Sequence, residues 1–148
     1  RRQRQMCIRD SSWTWAWRAS LWARFLDGEK AYEMIRGMMR HSMMDSLFTT
    51  HPPMQVDGTM GIVAGFAEML LQSRTGRLHL LPALPEAWKN GSVRGLKARG
   101  NITVDMDWKD GRVTQFRLSS PVAQSVKVAA NGTEKTYELT PETPVKGS

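Results

Sequence analysis

One acidic residue, Asp57, stands between a proline turn and an apolar run in the segment THPPMQVDGTMGIVAGF. A carboxylate held at the mouth of a pocket can act as a general base that takes a proton from water. The alternative is a cap for the helix that follows, because aspartate is favoured there and the helix dipole favours its negative charge. A charged cap can still act as a base, so the two interpretations are compatible.

His51 precedes Pro52 and Pro53 and lies six residues before Asp57. Each proline fixes its own backbone φ angle and biases the preceding residue toward extended conformations. Such a stiff turn could aim the imidazole and present the carboxylate with little loss of loop entropy. The alternative is a rigid connector that carries a solvated histidine.

Three tryptophans, Trp13, Trp15 and Trp17, alternate near the start of the chain. In a helix Trp13 and Trp17 share one face and Trp15 lies roughly opposite, so one side can pack while the other faces a ligand. Aromatic rings suit sugar rings, whose axial C–H faces are apolar. The alternative for each ring is core packing.

No metal or cofactor motif accompanies these residues. His41 and His79 have no partners at metal-ligand spacing, and the sequence contains no HExxH, CxxC, P-loop or dinucleotide-binding pattern. Glu29, Glu33 and Glu68 fall in predicted helices, where a solvated or helix-pairing role is favoured. The sequence therefore predicts neither a metal nor a cofactor.

Helical periodicity continues to about residue 75. The first predicted helix follows Ser11 or Ser12, repeats large apolar residues at i+4, and ends at Asp27-Gly28. The third covers about 61–74, after an irregular stretch at 42–60, and is apolar almost all round. Such a helix needs neighbours on several sides, so the helices are predicted to be the end of a larger array that exposes apolar patches.

The second predicted helix spans EKAYEMIRGMMRHSM, with Ala31, Ile35 and Met38 or Met39 on one face. Gly37 weakens this helix by roughly 1 kcal/mol relative to alanine. Tertiary packing must therefore hold it.

After Gly76 the periodicity becomes two. Apolar residues alternate with polar ones in ITVDMDW (Ile102 to Trp108), as in a half-buried strand, and Asp110-Gly111 predicts a hairpin turn. A phase slip on the return strand indicates a bulge, and Asn131-Gly132 predicts a second hairpin. We therefore expect an antiparallel module of five or six strands.

Composition excludes some classes of protein. The 148 residues are 41% hydrophobic and 24% charged, as in a globular chain. No apolar run approaches the ~18 residues that span a membrane, and no signal-peptide pattern is present. The net charge is +7, of which the first eleven residues, with four arginines and Asp10, supply +3. The other cations are scattered, so no nucleic-acid partner is predicted.

The opening run RRQRQMCIRDS has no helical or strand period and carries the only cysteine, Cys7. It resembles a translated sequencing adaptor of the kind found in metagenomic reading frames. The alternative is a disordered basic arm. Residues 1–11 are therefore predicted to be a non-native or disordered leader.

Four segments carry a family resemblance across residues 12–140: SSWTWAWRASLWARFLDGEKAYEMI, THPPMQVDGTMGIVAGFAEMLLQS, LHLLPALPEAWKNGSVRGLKARG and VDMDWKDGRV. They resemble the C-terminal part of glycoside hydrolase family 95, the bacterial and plant inverting α-L-fucosidases that act chiefly on α-1,2-linked fucose. The implied fold is α+β: residues 12–75 would be the last helices of an (α/α)6 barrel, and 76–148 an antiparallel C-terminal β-sandwich-like module. The earlier barrel helices would belong to an N-terminal part of the same polypeptide.

The resemblance places the general base on Asp57 and substrate contacts on His51 and Gln55, and Trp15 is the candidate aromatic contact. The family's general acid, a glutamate, and its assisting asparagines map to no residue of this chain. These residues alone should be inactive, because a base without an acid and most of the pocket cannot bind the transition state. The implied partner is a fucosylated oligosaccharide or glycan, and the resemblance implies a protein that is secreted or periplasmic in a bacterium.

One stretch departs from the family pattern. Thr59-Met60-Gly61-Ile62 stands where Asn-Phe-Gly-Gly is common, which removes an amide donor and adds bulk. The departure predicts an altered sugar preference, for instance for L-galactose, or weakened catalysis. Another helical-barrel glycosidase and a non-catalytic carbohydrate-binding β module are the remaining alternatives.

Overall fold

A computed structural model describes residues 11–50, 53–141 and 143–148 of the chain. His51 and residues 1–10 of the predicted leader lie outside the described residues. The chain divides between residues 69 and 70 into two compact units. The first is helical, and the second is built from strands.

Three α-helices are found in the described residues: α1 (Ser12–Arg24), α2 (Gly28–His41) and α3 (Val56–Leu70). Ser11 precedes α1 and its carbonyl accepts from the N–H of Thr14 at 3.1 Å, although its side chain makes no cap. Asp27 caps α2, because its carboxylate accepts from the N–H of Lys30 at 3.0 Å. None of the described helices is long and apolar enough to cross a membrane.

The buried face of α1 consists of small residues. Trp13 and Trp17 are 45% and 56% exposed, with their ring centroids 6.3 Å apart. For these two rings, core packing within the described chain is therefore wrong, and the large residues at i+4 mark an exposed face. The buried positions are Ser12, Thr14, Ala16, Ala19 and Ala23.

The face predicted for α2 is confirmed, since Ala31, Ile35 and Met38 are buried. A Cβ atom added at Gly37 would lie 2.6 Å from Cζ3 of Trp15. The absence of a side chain therefore lets the indole ring lie directly against α2. This contact is the tertiary packing that the weak helix former at Gly37 requires.

The predicted bounds of the third helix are wrong. α3 begins at Val56 rather than near residue 61, and residues 71–74 form a strand. The carbonyl of Gln55 accepts the first helical bond, from the N–H of Thr59 at 3.3 Å. Leu71 is instead paired with Leu80 in a hairpin, which ends the helix at the preceding residue.

Eight strands occur in the described residues of the second unit. They are β1 (Leu71–Arg74), β2 (Arg77–Leu80), β3 (Gly91–Ala98), β4 (Ile102–Lys109), β5 (Arg112–Ser119), β6 (Gln124–Ala130), β7 (Thr133–Leu139) and β8 (Val145–Gly147). The sheet orders are β1-β2-β6-β7 and β3-β4-β5-β8. The prediction of five or six antiparallel strands is wrong in number, and β2 pairs with β6 in parallel.

Both sheets contribute to one hydrophobic core, which makes the second unit a β-sandwich. The alternation predicted for β4 is confirmed: Ile102, Val104, Met106 and Trp108 are buried. The pairing register with β5 shifts between Asp107 and Trp108, as the predicted bulge requires. The α+β class is therefore confirmed.

Both predicted hairpin turns have left-handed backbone. The φ angles are 51° and 74° at Asp110-Gly111, and 53° and 79° at Asn131-Gly132. Such paired positive angles are typical of the two-residue turns that match the twist of the flanking strands.

Candidate active site

Asp57 lies in the first turn of α3, and its side chain is exposed. The Oδ1 atom accepts a hydrogen bond from the N–H of Gly58 at 2.9 Å. The predicted cap position before residue 61 is wrong, but the electrostatic argument still applies. The positive end of the α3 dipole favours a negative charge at this residue.

Gln55 joins three parts of the helical unit. Its Oε1 atom accepts from the backbone N–H of Ser12 at 2.9 Å and from the Ser12 hydroxyl at 2.6 Å. Its own N–H donates to Oγ1 of Thr49 at 2.7 Å. The amide oxygen of Gln55 is therefore engaged within the protein. A contact between Gln55 and substrate stays a prediction.

Three glycines of α3 face three small residues of α1, in the pairs Gly58–Ser12, Gly61–Ala16 and Gly65–Ala19, which we name the glycine seam. An added Cβ would lie 3.3 Å from the facing methyl at residue 65 and 3.1 Å at residue 61. At residue 58 it would lie 2.4 Å from the facing hydroxyl oxygen. The two helices are therefore closest beside Asp57.

Trp15 packs on Gly37 and also lines a groove of about 600 Å³ between α1 and α2. Its Nε1 atom is buried and has no hydrogen-bond partner among the described residues. The guanidinium of Arg18 lies 5.8 Å from the Trp15 ring centroid. Charged side chains dominate the rest of the groove, which includes Glu29, Lys30, Glu33, Arg36 and Arg40. A role for Trp15 in binding substrate stays a prediction.

Of the residues that depart from the family pattern, Met60 is exposed, whereas Thr59 and Ile62 are at least partly buried. Ile62 is buried, so its bulk lies within the helical unit. Thr59 is half-buried, and its hydroxyl has no partner among the described residues. The unpaired hydroxyl occupies the position where the family's amide donor is common.

The other candidate side chains have structural roles or no metal geometry. Glu68 pairs with Arg24 at 2.7 Å, as a helix-pairing role predicts. His79 is half-buried on β2, and burial holds its pKa below the ordinary value. In the part of the chain that the structure describes, no group of three or more His, Cys, Asp or Glu residues could hold a metal ion.

Two buried polar residues have roles that the sequence did not indicate: Ser12 was considered only as a helix cap, and Thr49 was not singled out. Ser12 is fully buried and Thr49 is 1% exposed. The spacing Gly58-x-x-Gly61-x-x-x-Gly65 is a signal that could have indicated a close helix contact, because small residues at this spacing share one helix face. It could not have identified the partner, since Ser12 lies 43 residues before Gln55.

Comparison with known families matches each unit to a domain of the same enzyme family. Residues 2–70 match the glycosyl hydrolase family 95 catalytic domain, and residues 72–146 match the glycoside hydrolase family 95 C-terminal domain. Both descriptions define parts of a glycoside hydrolase. The chain belongs to glycoside hydrolase family 95, which confirms the resemblance found in its motifs.

Curated relatives carry fucosidase names. The chain is 39% identical over 141 residues to alpha-L-fucosidase 2 of Arabidopsis thaliana, a match that covers 87% of this chain and 17% of the relative. Identity to probable alpha-fucosidase A is 30% over 122 residues in Aspergillus niger and 26% over 136 residues in Aspergillus oryzae. These matches cover 72% and 80% of this chain, and 15% and 19% of the relatives. The chain thus spans less than a fifth of the length of these relatives.

Proposed function

We propose that the longer protein carrying this chain is an inverting glycosidase that releases terminal α-L-fucose, chiefly α-1,2-linked, with Asp57 as its general base. The observation that carries the proposal is the exposed Asp57 carboxylate at the start of α3. One oxygen is fixed by the N–H of Gly58 at 2.9 Å, and the other has no hydrogen-bond partner among the described residues. That arrangement fixes the carboxylate and leaves an acceptor for water.

The proposed reaction follows from this arrangement. The Asp57 carboxylate takes a proton from water, and the water oxygen forms a bond to the anomeric carbon on the face opposite the leaving group. The glycosidic C–O bond breaks, and a general acid gives its proton to the leaving oxygen. In inverting enzymes the two carboxyl groups lie ~6.5–9.5 Å apart, which leaves room for the water. The family resemblance assigns the acid to a glutamate in the earlier part of the barrel.

The sugar assignment is supported by the names of the three relatives, one an alpha-L-fucosidase and two probable alpha-fucosidases. The altered stretch at Thr59 and Ile62 favours one competing substrate, an α-L-galactoside. L-Galactose differs from L-fucose by one added hydroxyl, and the departure from the family pattern at residue 59 replaces an amide side chain with a threonine whose hydroxyl is buried and has no partner among the described residues. A direct comparison of the two substrates therefore belongs in the test.

We further propose that the rest of the barrel, in the same polypeptide, covers an exposed apolar stripe on α3. Val56, Met60 and Val63 are 52%, 66% and 62% exposed and recur at i, i+4 and i+7. This spacing is typical of a helix face that packs against another helix. Fully burying each such side chain would contribute ~1.5–3 kcal/mol to the free energy of association. A neighbouring helix that covered the stripe would therefore bind to it favourably.

The test is Asp57→Asn in the longer protein, assayed on an aryl α-L-fucoside and an aryl α-L-galactoside. We expect turnover to fall by ~10²–10⁴-fold, the usual contribution of a positioned base, with the fold retained. Asp45→Asn, at another exposed aspartate of the helical unit, is the matched control. NMR of the first-formed sugar should show the β anomer. Unchanged turnover in Asp57→Asn would end the assignment of the base, and a retained α anomer would exclude inversion.

A further inference from the structure

Ser12 contacts the residues on both sides of Asp57. Its backbone N–H and its hydroxyl donate to Oε1 of Gln55, at 2.9 and 2.6 Å. Its side chain also lies against the backbone of Gly58, where an added Cβ would be 2.6 Å from the Ser12 Cβ. Ser12 is fully buried, so none of these contacts is shared with bulk water.

We propose that Ser12 is a positioning residue for Asp57 and acts through Gln55 and Gly58. This inference rests on the proposed role of Asp57 as the general base. The direction of the carboxylate is set by the backbone from Gln55 to Gly58, which Ser12 holds by hydrogen bonds at one end and by contact at the other. Displacement of a catalytic group by ~1 Å can cost ~10²-fold in rate, so this anchoring bears on turnover.

Thr49 completes the support on the other side of Gln55. Its Oγ1 accepts from the Gln55 N–H at 2.7 Å, so the first residue before α3 is held from two directions. We name this set the Ser12–Gln55–Thr49 bracket. Buried hydrogen bonds of this kind fix geometry because breaking one leaves a polar group unpaired. The bracket therefore links the start of α1 to the start of α3.

Residue 12 must have a side chain no larger than serine. A larger side chain would meet Gly58, because the space between the two backbones is already closed. Alanine would fit, but it would leave the Gln55 amide oxygen with the Ser12 N–H as its remaining donor. We therefore expect Ser12→Ala to fold but to lose the hydrogen bond from the residue 12 side chain to Gln55, so that the start of α3 is held less firmly.

The chief competing interpretation is that Gln55 contacts substrate through its amide N–H₂. Gln55→Glu separates the two roles, since glutamate keeps an oxygen that can accept from Ser12 and lacks the amide donors. Positioning predicts that KM of Gln55→Glu stays within about threefold of wild type, whereas kcat is free to change because the variant adds a carboxylate two residues before Asp57. A substrate contact through the amide predicts a clear rise in KM.

The kinetic test compares Ser12→Ala with Ser20→Ala in the longer protein, on an aryl α-L-fucoside. Ser20 is a matched control because its hydroxyl donates to the Ala16 carbonyl of its own helix, at 3.2 Å. We expect kcat of Ser12→Ala to fall about tenfold, with KM within about twofold of wild type, as expected for loss of a hydrogen bond that acts on geometry. Ser20→Ala should keep both constants.

A second measurement is independent of activity. In the longer protein, amide hydrogen exchange at Gly58 and Thr59 should be about tenfold faster in Ser12→Ala and unchanged in Ser20→Ala. If the wild-type longer protein hydrolyses no fucoside, the proposed function fails, and the exchange rates still decide whether Ser12 anchors α3. Unchanged exchange in Ser12→Ala overturns the inference, as does a Gln55→Glu variant with a strongly raised KM.

Discussion

Replacing Gly58 by alanine tests whether the glycine seam sets the position of Asp57. The added Cβ would lie 2.4 Å from Oγ of Ser12, 2.6 Å from its Cβ and 2.8 Å from its carbonyl carbon. Rotation can move the hydroxyl, but the carbonyl carbon belongs to the backbone of α1. The two helix starts must therefore separate by about 0.7 Å to restore an ordinary ~3.5 Å contact to that carbon, and by about 0.9 Å for the Ser12 Cβ, which rotation cannot move either.

Two opposing effects decide the stability of Gly58→Ala. Overpacking a closed contact costs ~1–3 kcal/mol. Alanine is a better helix former than glycine by ~1 kcal/mol, which offsets part of that cost. The expected net loss of unfolding free energy is therefore about 0–2 kcal/mol. Turnover should suffer more, by about 10–100-fold, because a shift approaching 1 Å at the base costs up to ~10²-fold.

Gly65→Ala is the matched control on the same helix and the same seam. Its added Cβ would lie 3.3 Å from the Ala19 methyl, a contact that a small adjustment relieves. We expect it to be as stable as wild type or slightly more stable, with kcat unchanged. Urea unfolding of the chain and kcat of the longer protein on an aryl α-L-fucoside give the two readouts. Equal kcat and equal stability for Gly58→Ala and Gly65→Ala would refute the reasoning.

Two further predictions concern the β-sandwich. Burial, with a smaller contribution from Arg77, holds the pKa of His79 below its ordinary 6.5. As the pH falls, His79 is therefore protonated in the unfolded chain at a higher pH than in the folded chain. The free energy of unfolding should then decline below about pH 6.5. His79→Asn should flatten that decline in urea unfolding at a series of pH values, and an unchanged pH profile would contradict it. Asn131→Ala should cost about 2–4 kcal/mol, because Asn131 bonds both the N–H and the carbonyl of Val113, at 2.9 and 2.8 Å, and has a φ of 53°. Asn131→Gly keeps the turn and should lose less, so equal losses would exclude a backbone contribution.

Local patterns predicted the parts of the fold that local interactions determine. The buried face of α2, the alternation in β4 and the turn at Asn131-Gly132 each depend on a few neighbouring residues. The start of α3 was misplaced because the bonds that hold Gln55 come from Thr49 and from the distant Ser12. β1 and β8 have four and three residues, too few to show a period. β8 also pairs with β5, which is distant in the sequence, whereas β1 pairs with the adjacent β2.

The site was predictable to a similar extent. The type and spacing of Asp57 indicated a carboxylate at a helix start, and the structure places it there. The sequence could not show that Gln55 is engaged by Ser12, because that contact depends on how α1 and α3 pack. The predicted contact from His51 lies outside the described residues. The carboxylate of Asp57 could therefore be recognised from the sequence. The hydrogen-bond partners of Gln55 could be identified only from the tertiary structure.

The two faces of α1 explain why the geometry of Asp57, the proposed base, and the completeness of the pocket are separate problems. The small face packs against α3 along the glycine seam and fixes the backbone beside Asp57 with residues of this chain. The large face leaves Trp13 and Trp17 exposed, and Met60 is similarly exposed on α3. Large apolar side chains gain free energy only when another surface covers them. The seam can therefore position the carboxylate before any further element is added, whereas a pocket that binds a sugar and supplies an acid depends on the surface that covers the large face.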